Sequence, residues 1–493
     1  MKPALKSGAL ALIVVALAAC TLGPDFTRPA PSAAMGYTQA APAPGAPQSV
    51  VYGGKVAADW YALFHSDALN RLVHEALARN PDLEAARHGL RAAQYELQAV
   101  SGSTLPQIDA RGGISRAHIN GSFLYEPVGA LSVTGNQFSI GPTLAYRLDL
   151  FGGVRRSIES QAAATDQARA QALNTYVTLI DQVVVTAFDY AAAAAQVEVT
   201  RSLVKDLQRQ LELTRALEAA GKITRADTLQ AQTQLENTAA TLPELERQRD
   251  VYRNALAQLT GRTPDEFRMP LPSLKDFELP RELPLSLPSQ LVRQRPDILA
   301  AEDELHQASA AIGVAEAARL PSLSLSGQYA QQGSRLNEMF TRPGGIWSIG
   351  ADWSAPIFDG GTLAARADEA KERYRQAQAR YRSTVIAAFV EVADALQALQ
   401  HDADSEAAHR RALESAAANR DLAVAQYRAG KYNELQVLAA QQQYQNAALS
   451  QVQADAQRFA DTAALFRALG GGWWNAPQDP AALASAMQEQ VHD

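Results

Sequence analysis

VRRSIESQAAATDQARAQALNTYVTLIDQVVVTAFDYAAAAAQVEVTRSLVKDLQRQLELTRALEAA, Val154 to Ala220, is 67 residues without a glycine or a proline. A second such run, Thr362 to Ala429, extends for 68. At about 1.5 Å per residue either would make a helix roughly 100 Å long, several times an ordinary globular helix. No compact core is that deep, so such helices must lie side by side as a rod or as the staves of a tube. Their apolar residues are spaced 4-3-4-3-4: Leu173, Val177, Ile180, Val184, Ala187 and Ala191 in the first, Val385, Phe389, Val392, Leu396, Leu399 and Ala403 in the second. A 3.5-residue repeat keeps one seam facing a partner and specifies left-handed supercoiling. The remaining faces are rich in Ala and Gln, which suits close packing and a wet lumen.

The two runs belong to two copies of one unit. Asn80-Pro81-Asp82-Leu83 matches Arg295-Pro296-Asp297-Ile298, and Leu105-Pro106 matches Leu320-Pro321, both at an offset of 215. Gly221-Lys222 matches Gly430-Lys431, and Gly261 matches Gly470, both at 209. Leu-x-Ala-Gln at Leu229 to Gln232 recurs at Leu438 to Gln441. Constant order and spacing of such matches is the signature of duplication. Each long run stops at a glycine, and a shorter helical pattern returns from Lys222 or Lys431. Each half should therefore fold back as a hairpin with Gly221-Lys222 or Gly430-Lys431 at its far tip, and Pro243 should kink the first return helix.

Short segments of period two precede each long helix. In 137–151 Phe138, Ile140, Leu144, Tyr146, Leu148 and Leu150 alternate with Gln137, Ser139, Thr143, Arg147 and Asp149. Trp347, Ile349, Trp353 and Ile357 alternate with Ser348, Asp352 and Ser354, while Leu323, Leu325 and Tyr329 alternate with Ser322, Ser324 and Gln328. A fourth segment near Gln107 to His118 is weaker and glycine-rich. These are strands with one apolar and one polar face, each about the length that crosses an outer membrane at a tilt. The expected membrane-facing residues are Phe138, Ile140, Leu144, Tyr146, Leu148, Trp347, Ile349 and Trp353. Four strands cannot close a barrel, and backbone groups in lipid must all be paired. The barrel would then be shared, with eight strands from two copies or twelve from three.

The first residues form an export address: basic Lys2 and Lys6, apolar Ala9 to Ala16, and Leu17-Ala18-Ala19-Cys20, which resembles the lipoprotein box of bacteria. Cys20 is the only cysteine, so no disulfide is expected. A covalent lipid on Cys20 is the expected modification, with no other cofactor. Thr21 in place of an aspartate makes the outer membrane the default destination. A net charge of −7 argues against nucleic acid as a partner. No apolar run of about 20 residues follows the signal, so no membrane-spanning helix is expected.

The expected organisation is a signal peptide 1–19 and a lipid-anchored, Pro- and Ala-rich tether 20–59. A first repeat 60–262 has helices about 60–104, 154–220 and 222–260 and strands about 105–120 and 137–151. A linker 263–288 leads to a second repeat 289–474 with helices about 289–319, 362–429 and 431–469 and strands about 320–332 and 345–358. A disordered tail 475–493 follows.

Several motifs resemble the outer-membrane factors of tripartite efflux pumps, the TolC-like channels, in particular the lipoprotein branch serving resistance–nodulation–division pumps. They are Cys20-x-x-Gly23-Pro24-Asp25-Phe26-x-Arg28-Pro29; Trp60-x-x-Leu63-Phe64-x-x-Asp67-x-Leu69-Asn70; Arg295-Pro296-Asp297-Ile298 with Ala300-Ala301-Glu302; Pro356-Ile357-Phe358-Asp359-Gly360-Gly361; and Ala468-Leu469-Gly470-Gly471-Gly472-Trp473. The resemblance implies a mainly α fold with a β membrane part: a homotrimeric α-barrel of antiparallel coiled-coil helices topped by a shared twelve-stranded transmembrane β-barrel. It implies outer-membrane lipid, a periplasmic adaptor (membrane fusion protein) and an inner-membrane efflux pump as partners. It also implies a periplasmic aperture closed by ionic and hydrogen-bonded links and narrowed by an acidic ring. The family's Leu-Asp-Ala-Gln is here Leu438-Ala439-Ala440-Gln441, so Ala439 replaces the ring aspartate, and Gln436 stands where some members carry another. The aperture candidates are Asp227, Tyr432, Glu434, Gln436 and Ala439, with Asp227 and Glu434 as substitute acids. Gly221, Lys222, Gly430 and Lys431 are the candidate adaptor contacts.

Enzyme signals are absent. The eight histidines show no metal-ligand spacing, and the nearest approach to a cation site, His401-Asp402-Ala403-Asp404, lies along one long helix. No Walker loop, nucleophile elbow or dinucleotide fingerprint occurs. A lipid-anchored coiled-coil scaffold without a pore accounts for the helices but leaves the apolar strand faces unexplained, and a type I secretion exit duct would share the fold.

Overall fold

The computed structural model describes residues 21–30, 36–37, 48–120, 132–338 and 344–475. The expected signal peptide, Cys20, part of the tether and tail residues 476–493 lie outside the described residues. In chain order the elements are β1 (Ser49–Tyr52), α1 (Asp67–Arg79), α2 (Pro81–Gly102), β2 (Gln107–Asn120), β3 (Ser132–Leu148), α3 (Gly153–Ala219), α4 (Arg225–Leu259), β4 (Glu282–Leu285), α5 (Pro288–Gln294), α6 (Pro296–Ala317), β5 (Ser322–Gly333), β6 (Gly345–Ser354), α7 (Thr362–Arg428) and α8 (Glu434–Ala468). The long helices α3 and α7 are 67 residues each. Helix α4 continues through Pro243.

Several boundaries differ from expectation, each for a local reason. The helices expected at 60–104 and 289–319 are broken, at Asn80 and at Arg295. Both precede a proline, which excludes them from the helical region, and both are extended, at φ −65°, ψ 123° and φ −77°, ψ 124°. Asn80 turns its break into a start, because its Oδ1 accepts from the amides of Asp82 and Leu83 at 2.9 and 3.0 Å. The return helices begin at Arg225 and Glu434 rather than at the tip lysines, because Thr224 and Asn433 are N-caps with complete capping boxes. β3 starts earlier than 137 and stops at Leu148, and β6 stops at Ser354, two residues before Pro356, which has no amide to donate. The expectation of no membrane-length apolar helix fails on composition: α3 contains such a window, but 56% of it is buried inside the protein, as for a core helix.

Two compact units cut across the sequence repeats. The first combines the described residues of Met1–Pro29 with Leu90–Ala168 and Ala301–Tyr381. It contains a four-stranded antiparallel sheet in the order β2-β3-β5-β6. The segment after Cys20 is strapped to its helices. Buried Arg156 donates to the carbonyl oxygens of Leu22 and Gly23 at 2.9 and 3.2 Å and pairs with Asp25 and Glu159 at 2.7 Å each. Arg28 pairs with buried Glu302 at 2.6 Å, and Phe26 stacks on His306 at 4.3 Å between centroids. The glycines at 23 and 313 touch, and a side chain at either would collide with backbone of the other segment.

The second unit combines the described residues of Ala30–Gly89, Arg169–Ala300 and Arg382–Asp493. Here the end of the tether and the linker pair as a parallel ladder, β1 with β4, where only extended chain was expected. The Trp60 motif seeds the core: Trp60 stacks on Phe466 at 5.1 Å, and Phe64 meets Phe188 edge-on at 5.0 Å. Arg295 ties three segments together. It forks onto Asp297 at 3.0 and 2.7 Å, pairs with Glu391 at 2.8 Å, and donates to the carbonyl oxygen of Ala468 at 2.9 Å.

Removing that guanidinium leaves Asp297 without its fork and the Ala468 carbonyl without its donor, while Glu391 keeps Arg467 at 3.8 Å. Because both carboxylates are partly exposed, Arg295→Ala is expected to cost about 1–3 kcal/mol in urea unfolding, the range for unsatisfying a hydrogen-bonded group. Arg295→Lys should recover only part, because an ammonium cannot reproduce the fork.

Candidate functional site

The register of the sheet decides its surface chemistry. Residues directly opposite in an antiparallel pair share a face. Ile108 lies opposite Leu144 and Ile114 opposite Phe138. Tyr146 lies opposite Leu325 and Leu148 opposite Leu323. Leu323, Gly327 and Tyr329 lie opposite Trp353, Ile349 and Trp347. All eight expected membrane-facing residues therefore fall on one face, joined by Ile108, Ile114, Leu323, Leu325 and Tyr329. The other face carries Asp109, Arg111, Ser139, Thr143, Arg147, Gln328, Ser348 and Asp352. Among the described residues much of the apolar face is left uncovered: Ile349 is 83% exposed and Trp347 74%, while Phe138, Tyr146 and Leu148 are half-buried. A continuous apolar face of this kind marks a surface built for another molecule or for lipid. Strands β2 and β6 are the two edges, each with one side of its ladder unpaired within the sheet.

At the helical tips the two halves repeat one device. Gly221 and Gly430 both have φ +70°, which a side chain would strain. The next amide closes the turn: Lys222 donates to the carbonyl oxygen of Leu217 and Lys431 to that of Gln426, at 2.9 Å each. Lys222 and Lys431 are exposed. The capping residues follow at once. The Asp227 carboxylate accepts from the Thr224 amide and hydroxyl at 2.9 and 2.8 Å. Gln436 accepts from the Asn433 amide at 3.0 Å and returns its own amide to Asn433 Oδ1 at 3.1 Å. Two aperture candidates thus serve as caps, while Tyr432 and Ala439 are exposed.

Glu434, one of the two substitute acids, is buried. It is 3% exposed, and both its oxygens accept from Nε2 of Gln210 at 3.0 Å. Burial pushes its carboxyl up from the ordinary carboxylate range; Gln210 and the nearby Tyr427 hydroxyl partly offset this, and the negative charge of Asp227 adds to it. An apolar seam gathers Leu203, Leu207 and Leu211 from α3, Ala231 and Leu235 from α4, and Leu438 from α8. Leu438 is buried there, whereas its repeat partner Leu229 is 52% exposed, so the duplicated motif has diverged in role. Gln210 and Tyr427 carried no sequence signal. Gln210 lies 224 positions from Glu434 in the chain, and no local pattern marks that pairing.

Asp402 faces Asp461, and burial followed by that neighbour raises its pKa. Among the described residues no group of three or more His, Cys, Asp or Glu side chains could hold a metal ion.

Gln210→Leu removes the donor from a buried carboxylate and is expected to cost about 1–3 kcal/mol in equilibrium unfolding. Because the folded-state pKa of Glu434 is raised, its stabilising contribution is fully present below the ordinary glutamate range and is lost as pH rises through the raised value. Glu434→Gln should flatten that part of the stability–pH profile; an unchanged profile would mean the carboxyl is not titrating there.

Comparison with known proteins agrees with this geometry. The family profile described as outer membrane efflux protein matches residues 72–262 and again 287–471. The chain is 31% identical over 468 residues to nodulation protein T of Rhizobium leguminosarum bv. viciae, covering 94% of this chain and 93% of that one. It is 31% identical over 480 residues to the probable efflux pump outer membrane protein TtgC of Pseudomonas putida, covering 94% and 95%. A solved structure of the outer-membrane channel OprN superposes with a TM-score of 0.84 at 30% identity, covering 92% of this chain and 100% of that one.

Proposed function

The chain belongs to the outer membrane efflux protein family, and on that premise we propose how its geometry performs the family's task. The protein is the outer-membrane channel of a tripartite efflux system, a passive exit for small molecules. Three copies join their four-stranded sheets into a twelve-stranded barrel, apolar face to lipid and polar face to a water-filled lumen. The long helices and their return partners form the periplasmic duct, whose tips, with Lys222 and Lys431, meet a periplasmic adaptor and an inner-membrane pump. Cys20 carries the lipid anchor, and the strap at Arg156 holds the chain that follows it. No cofactor or catalytic group is required. The observation that carries this reading is the uncovered apolar face of a sheet with two open edges.

The Gln210–Glu434 bond ties α3 to the start of α8 beside the tip and acts as a clasp on the closed aperture. The clasp takes over from the acidic ring that Ala439 cannot supply; Asp227 adds negative charge beside it.

Two experiments test these points. On the face, Ile349→Arg should block insertion into lipid vesicles, at about 2–4 kcal/mol for a charge near the bilayer midplane, while Ser348→Arg inserts normally; equal insertion would refute the lipid face. On the clasp, Gln210→Leu and Glu434→Ala should each raise single-channel conductance in planar bilayers, and unchanged conductance in both would refute the gate.

A further inference from the structure

The motif Pro356-Ile357-Phe358-Asp359-Gly360-Gly361 follows β6, and its two large apolar side chains stand free. Ile357 is 98% exposed and Phe358 91%. The turn that follows them is hydrogen-bonded at the start of α7. The Asp359 carboxylate accepts from the amides of Gly361 and Leu363 at 2.9 and 2.7 Å, and Thr362 Oγ1 donates to the Asp359 carbonyl at 2.9 Å. An apolar pair next to a fixed turn has less chain to order on binding. Those backbone donors hold the Asp359 carboxyl below its usual range, so an ionised group sits beside Phe358. That suits a wet boundary and not hydrocarbon.

The duplication shows what such a pair meets. In the first half, β3 leads through Leu150 and Phe151 into α3. β3 pairs with β5, and the turn before β5 is Leu320-Pro321. Leu150, Phe151, Leu320 and Pro321 line one cavity of about 640 Å³ and are all half-buried. In the second half, β6 leads through Ile357 and Phe358 into α7, yet among the described residues β6 is an edge with no strand beyond it. The repeat counterpart of Leu320-Pro321 is Leu105-Pro106, in the turn before β2, and β2 is the opposite edge. Leu105 is 63% exposed. Gln107 at the start of β2 and Ser354 at the end of β6 lie at the same end of the sheet, and the two strands run in opposite directions. Pairing β6 of one copy with β2 of the next therefore continues the antiparallel order and brings the two exposed apolar groups together.

We infer that Ile357 and Phe358 seat against Leu105 and Pro106 of a second copy of this chain, bringing together between copies the counterparts of the residues that line one shared cavity, Leu150, Phe151, Leu320 and Pro321, within a single chain. The inference rests on the shared-barrel reading and adds a contact that locks neighbouring sheets in register at their helix-facing end.

Cysteine pairs in the full-length chain, assembled in outer membranes and treated with a short bis-maleimide, test it. Phe358→Cys with Leu105→Cys should convert the bulk of the protein into covalent dimers and trimers on a denaturing gel. Phe151→Cys with Leu320→Cys should bridge within one chain and add no higher bands. Size by light scattering is measured in parallel on the unlinked double variant. A trimer whose Phe358→Cys is labelled by a bilayer-confined thiol reagent and never cross-links overturns this contact while leaving the shared barrel standing. A monomer by light scattering overturns the barrel and the contact together. As a second measure, Phe358→Ser should lower the temperature at which the trimer dissociates, and an unchanged temperature also counts against the contact.

Discussion

A peptide group in hydrocarbon has no water to turn to, so every N–H and C=O there must find a partner in protein. That requirement governs this chain. Its sheet presents an apolar face that would have to lie in lipid, and its order β2-β3-β5-β6 leaves two edges whose outward donors and acceptors lack partners in the sheet. Neither edge can be tolerated in a bilayer, and four strands are too few to curl round and satisfy one another. The antiparallel polarity of β6 and β2 allows one copy to complete the next, and the exposed Ile357-Phe358 and Leu105 stand where that completion would occur. On the proposed reading, the oligomer follows from the hydrogen bonds that two open edges require in lipid.

The duplication supplies economy at both ends of the chain, and divergence between the copies supplies function. The tips share the glycine at φ +70°, the closing lysine amide and the capping box. Only the second copy starts its return helix with a carboxylate, Glu434, that is buried under Gln210 from the other half. Burial pushes the carboxyl of that acid up, so ionising it works against the buried arrangement that Gln210 holds. Leu438 and Leu229 show the same divergence, one under the seam and one facing outward.

What could be read from sequence followed the range of the interactions involved. Alternation at Phe138 to Leu148 and at Trp347 to Trp353 is local, and the register keeps those residues on one face. The long helices are equally local, written in the absence of glycine and proline. Breaks at Asn80 and Arg295 were present in the text, since each precedes a proline, but helical periodicity on both sides masked them. The β1–β4 ladder joins four residues of the tether to a partner more than two hundred positions away, and Ser-Val-Val-Tyr alone is too short to announce a strand. The burial of Glu434 could not be read locally, because its partner Gln210 lies 224 positions away and no local pattern couples the two.

The central claim is that the open sheet is one third of a shared barrel. Electron cryomicroscopy of the full-length protein in lipid nanodiscs tests it most directly. The account requires three chains around one lumen, with β6 of each hydrogen-bonded antiparallel to β2 of the next inside the lipid belt. A particle in which the sheets remain separate, or lie outside the lipid belt, would contradict it.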